Sequence, residues 1–173
     1  MAGVDYEIRL VSGLYEVLVN REGAAVLQNN LELLGPITYT EEEIKFAHGI
    51  QRATGKKELG IDGNIVPLEA TRPDPPGGST DVGDVSWIAP EISLGATTAA
   101  IGTPWHSWAV VACGGMSIGH KGMVFASKAL AMTMVDLFES EELRKKIRAE
   151  FEQRKGDHVY KAMIPEGPPK LEN

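Results

Sequence analysis

Residues 91–113 read Glu-Ile-Ser-Leu-Gly-Ala-Thr-Thr-Ala-Ala-Ile-Gly-Thr-Pro-Trp-His-Ser-Trp-Ala-Val-Val-Ala-Cys. The fold class turns on them. Segments 91–98 and 107–113 are short and largely apolar or β-branched, and Gly102-Thr103-Pro104 turns the chain sharply between them. Runs of that length bounded by turn residues predict two strands. Downstream, Gly114-Gly115-Met116-Ser117-Ile118-Gly119 forms a loop that hands over to the longest helix, about 120–138. That helix is apolar nearly all round, which predicts a buried position. Ser140 then caps a last helix with Leu143, Ile147 and Phe151 at i, i+4 and i+8, followed by an extended or frayed tail.

Upstream, Val4, Tyr6, Ile8 and Leu10 alternate with Asp5, Glu7 and Arg9, the period-two pattern of a half-buried strand. Gly13 breaks it, and residues 14–19 read as a second short strand. Asn20 is an N-cap for a helix carrying Ala24, Leu27, Leu31 and Leu34, stopped by Gly35-Pro36. Thr40-Glu41-Glu42-Glu43 is a capping box that opens a helix to about Ala53. Residues 60–78, rich in Gly, Pro and Asp, read as loop. Strands mixed with helices of this length predict an α/β layered domain, although the strands are few for the amount of helix.

The 173 residues are enough for one domain with a proper core. A net charge of −7 argues against nucleic-acid binding and against an anionic membrane surface. The one cysteine, Cys113, excludes an intrachain disulfide and fits a reducing cytoplasm. Met1-Ala2-Gly3-Val4-Asp5 has neither the basic nor the apolar region of a signal peptide, and 123–138 is too polar and short to span a bilayer.

Among residues that carry chemistry, His106 stands first: an imidazole on a loop between Trp105 and Trp108 reads either as a metal ligand or as a loop histidine bonded to backbone. Asp81 and Asp84 read either as metal-site carboxylates or as turn-forming residues. His120 opens the long helix, where it packs, caps or meets an anion. Cys113 reads as a buried strand residue, with a catalytic thiol the weaker alternative. Glu41, Glu42, Glu43, Glu141 and Glu142 sit in helix first turns and are explained by the helix dipole. His-x-Asp, His-x-x-x-His and His-Glu-x-x-His are all absent from the sequence, whereas a catalytic zinc needs about three protein ligands.

Three stretches in order form a pattern. They are Gly-Ser-Thr-Asp-Val-Gly-Asp-Val-Ser-Trp at 78–87, Gly-Thr-Pro-Trp-His-Ser-Trp at 102–108, and Ser-Ile-Gly-His-Lys-Gly-Met at 117–123 before an Ala-rich helix. Together with Gly35-Pro36 and Tyr39-Thr40-Glu41-Glu42-Glu43, the pattern resembles the M20 family of metal-dependent peptidases and amidohydrolases, most closely the aminobenzoyl-glutamate hydrolase type. The resemblance implies the C-terminal part of an α/β/α layered catalytic domain with a mixed sheet. Residues 1–12 would end a lid-domain strand, 13–155 would form the C-terminal half of the catalytic domain, and 156–173 an extended tail. It implies a divalent metal centre (zinc or manganese), with His106 as the last metal ligand and Asp81 in a supporting catalytic position. Trp105, Ser107 and His120 would lie in a second layer. Val82 stands where the wider family often carries an aromatic residue.

The other ligands and the general-base Glu belong to an N-terminal half. The implied function is therefore a fragment of an enzyme cleaving N-acyl or aminobenzoyl-glutamate-type amides, inactive alone. Its implied partners are the small amide substrate and an N-terminal half or second subunit. The alternative is a non-catalytic binding or association module. Exposed strand edges on a half-domain predict self-association.

Overall fold

Local capping chemistry builds the helices. Asn20 accepts the Gly23 N–H on its side-chain oxygen at 2.8 Å and starts α1 (Arg21–Leu34), which Gly35 ends with a φ of 71°. Thr40 and Glu43 cap each other across the first turn of α2 (Glu41–Ala53), so both halves of the capping box form. The short α3 (Val82–Ser86) follows. Ser107 starts α4 (Trp108–Gly114), and the long α5 (Ser117–Glu139) comes next. Ser140 starts α6 (Glu141–Lys155) by accepting the Leu143 N–H at 3.2 Å. These assignments come from a computed structural model, which describes residues 3–8, 10–68, 80–165 and 167. The proline-rich run at 72–78 and Ser79 of the first motif lie outside the described residues.

The core around α2 combines alanines with a few larger aliphatic side chains. Ala47, Ala100 and Ile118 form one cluster with Tyr39, Phe46 and Ile61 packed on it; Ile50, Ala109 and Cys113 form a second. Gln51, fully buried, ties α2 to the chain at residues 59–60 and at Ile101. Its amide nitrogen donates to the carbonyls of Gly60 and Ile101, and its oxygen accepts the N–H groups of Leu59 and Gly60. Every polar atom of that buried amide is thereby satisfied in one place. Asn30 does similar work between α1 and α5, donating to Thr133 and Asp136. Asn20 reaches the Ile147 carbonyl on α6 at 2.8 Å.

The α/β mixed-sheet expectation is overturned: among the described residues the regular structure is helical and contains no strand. Alternation along residues 4–11 buries neither face, since Val4, Tyr6 and Ile8 are 74%, 85% and 83% exposed. A strand needs a ladder partner as well as a pattern. Residues 14–19 and 91–98 are likewise without helix or strand. Segment 107–113 is helical instead of extended. Ser107 accepts the Ala109 N–H, and Ala109 and Cys113, four apart, share one fully buried face. Cys113 is thus buried as expected, but on a helix.

The long helix begins at Ser117, three residues before the expected start, and is not buried all round. Ile118, Gly119, Gly122, Ala129 and Thr133 face inward, while Met123, Met134 and Phe138 are 60%, 56% and 79% exposed. No single described helix is long and apolar enough to cross a membrane; α4 and α5 meet at a bend of 69°.

Candidate functional site

The loop 102–107 is wound tightly by its own hydroxyls. Thr103 gives both its N–H and its Oγ–H to the Ala100 carbonyl, at 3.1 and 2.7 Å. Ser107 donates its Oγ–H to the Pro104 carbonyl at 2.6 Å while capping α4. Between these anchors His106 takes a φ of 58°, the only positive φ among described non-glycine residues. A left-handed histidine costs about 1 kcal/mol or more, and such strain persists where neighbouring structure imposes it. The loop therefore holds an exposed imidazole outward between two exposed indoles, Trp105 at 69% and Trp108 at 59%.

Next to this loop lies a groove of about 740 Å³, bounded by α1, residues 62–66, residues 93–103, Trp105 and Phe125 of α5. Along its wall at 93–99 no backbone–backbone hydrogen bond is made among the described residues, although the Thr97 hydroxyl donates to the Asp62 carbonyl at 2.7 Å.

The structure does not draw the candidate site residues into one cluster. Asp81 is exposed at the start of α3 and makes no capping bond with its side chain. His120 is exposed on the first turn of α5, and Cys113 is sealed in the core. Among the described residues no three His, Cys, Asp or Glu side chains converge. The described side chains by themselves therefore do not make up a metal centre.

What converges instead is a polar pin between α2 and α5. Lys121 Nζ lies 2.6 Å from Glu43 Oε2, donates to the Thr38 carbonyl at 2.9 Å and sits 5.4 Å from the Tyr39 ring centroid. Burial by itself raises the Glu43 pKa. Hydrogen bonds from Lys121, Ser117 and the Thr40 N–H, with the lysine charge, more than offset it and leave the carboxyl at about 2. Tyr39 is pushed up by burial and then by the carboxylates of Glu43 and Asp62. Capping explains Glu43 only in part, because its ion-pair partner is 78 residues away and nothing local announces it. Sequence reasoning also missed Tyr160, whose hydroxyl donates to Asp84 at 2.9 Å; that bond, first among the causes, raises the tyrosine pKa. The one available signal is a tyrosine and a histidine two residues apart in the tail after α6.

Comparison with known proteins gives a result of its own. The chain is 30% identical to a subunit of the p-aminobenzoyl-glutamate hydrolase of Escherichia coli (strain K12). The similarity extends over 95% of this chain and only 39% of that protein. No family model matches the chain, and no solved structure matches it.

Proposed function

We propose that the chain is the C-terminal portion of an M20-type, metal-dependent amidohydrolase that cleaves N-acyl or aminobenzoyl-glutamate-type amides in the cytoplasm. In this reading it is not catalytically complete by itself. The observation that carries the proposal is the similarity to a p-aminobenzoyl-glutamate hydrolase subunit along 95% of the chain. The chain spans 39% of that relative, so most of an equivalent enzyme would lie in a further polypeptide segment or in a second subunit.

Within that assignment His106 is one ligand of a zinc or manganese centre, held out by the strained loop, and Asp81 supports it. Trp105, Ser107 and His120 form the surroundings. The remaining ligands and the proton-transferring Glu come from the complementary part. One feature supports incompleteness: large apolar side chains stand exposed along α5 and around residues 105–111, among them Trp105, Trp108, Val111, Met134 and Phe138.

Metal analysis and amide hydrolysis of the purified chain test this directly. The chain alone should retain less than one tightly held zinc or manganese and should leave p-aminobenzoyl-glutamate uncleaved. Any weak zinc binding should fall on His106→Ala. Two tightly bound metals together with hydrolysis by the chain alone would refute incompleteness. A stable partner complex that neither binds metal nor hydrolyses the amide would favour the association-module reading.

A further inference from the structure

We propose that residues 157–163 act as a strap that locks residues 13–18 onto α3 and so fixes the direction in which the chain N-terminal to Gly13 leaves the body of the protein.

The floor of the lock is the second half of the 78–87 motif. Gly83 lies so close to the Tyr15 carbonyl that an added Cβ would sit 1.9 Å from its oxygen, so only glycine admits the approach. Ser86, fully buried, accepts the Leu18 N–H at 2.8 Å and donates its own proton to the Gly83 carbonyl at 2.6 Å. Trp87 Nε1 donates to the Glu16 carbonyl at 2.9 Å. Three features of α3 and its C-cap are thus spent on receiving the 15–18 backbone.

The strap closes from the other side. Gly13 donates its N–H to the Met163 carbonyl at 2.7 Å, and the Tyr15 hydroxyl donates to the Lys161 carbonyl at 3.2 Å. Rings fill the space between. Tyr15 stands 5.6 Å from Trp87, 5.3 Å from Tyr160 and 5.5 Å from His158, and His158 meets Trp87 edge-on at 4.7 Å. Such offset and edge contacts are favourable beyond simple burial.

The latch is Tyr160 on Asp84. Among the described residues Asp84 Oδ2 is buried without a hydrogen-bond partner, and Oδ1 accepts only the Tyr160 hydroxyl. Lifting the strap would strip a part-buried carboxylate of its one hydrogen bond, which penalises opening more than the bond's net value when made. Residues 157–163 have no helix or strand of their own, so these contacts hold them. On the amidohydrolase reading residues 1–12 return from a lid, and the strap would act on lid position; the lock itself stands without that reading.

Hydrogen exchange on single amides tests the proposal with no substrate involved. The informative amide is Leu18, whose acceptor Ser86 is untouched in both variants. In a chain ending at Gly156, and in full-length Tyr160→Phe, Leu18 exchange should accelerate roughly tenfold or more while α5 amides keep their rates. In the shortened chain, acceleration of Gly13 alone would overturn the lock, because it reports only the lost Met163 carbonyl, and an unchanged Leu18 rate in Tyr160→Phe would overturn it as well. Equal acceleration throughout α5 would overturn it too, reducing the tail to a general stabiliser. The tyrosine variant keeps the ring and removes one hydroxyl, so it remains decisive even if the shortened chain fails to fold.

Discussion

At the scale of single residues, the Glu43–Lys121 pair carries a pH signature. The carboxyl is nearly buried, at 7% exposure, while the ammonium is 36% exposed, so solvent screens part of their attraction. Glu43 titrates at about 2 in the folded chain against 4.5 ordinarily. A depressed carboxyl pKa contributes stability that is complete above 4.5 and fades as pH falls from there through about 2. Lys121→Met should cost about 1–2 kcal/mol at pH 7, because it leaves a buried carboxylate short of a charged donor. The same variant should show a shallower loss of stability between pH 4.5 and 2 than the parent, by chemical denaturation at several pH values. Parallel pH profiles for the two proteins would mean that the pair contributes nothing. His106 lies at this scale as well. Its place between two tryptophans was legible in the sequence, but its left-handed backbone was not, because that conformation follows from anchors at Ala100 and Pro104 closing the loop around it.

At the scale of elements, what could be read in advance divides by the range of the forces involved. Helices α1, α2 and α6 start at Asn20, Thr40 and Ser140, where a side chain meets a backbone N–H a few residues on. That information is local, so the sequence displays it. The strand expectations failed because alternation at 4–11 and the apolar run at 91–98 specify a face but not a partner strand, and none lies beside them among the described residues. At 107–113 two local signals competed, and the Ser107 cap with the four-residue spacing of Ala109 and Cys113 prevailed over β-branching. The approach of α5 to the groove wall is another long-range fact that glycine alone betrays. A Cβ on Gly122 would lie 2.3 Å from the Thr97 carbonyl oxygen and 2.7 Å from the Thr98 methyl. Gly122→Ala should therefore push α5 off segment 97–98 and cost about 1–3 kcal/mol, despite alanine's better helix propensity. Thermal unfolding decides it, since a gain in melting temperature would show that the close approach is not real.

At the scale of the whole molecule, exposed apolar surface is the governing feature, and the described residues leave much of it uncovered. Much of it lies on α5, with Met123, Val124, Met134, Val135 and Phe138 exposed, and on Trp105, Trp108 and Val111 before it. Water-facing apolar patches of that extent associate, either with the part that completes the fold or with further copies of the chain. Purified alone, the chain should self-associate at roughly micromolar concentrations and above, seen as a sedimentation coefficient that rises with loading. Phe138, at 79% exposure, contributes to that surface and little to the core. Phe138→Glu should accordingly reduce association while leaving stability within about 0.5 kcal/mol of the parent. If the parent sediments as one monomeric species across the whole range, the exposed face is not adhesive. The case for a missing complement would then rest on the sequence similarity alone.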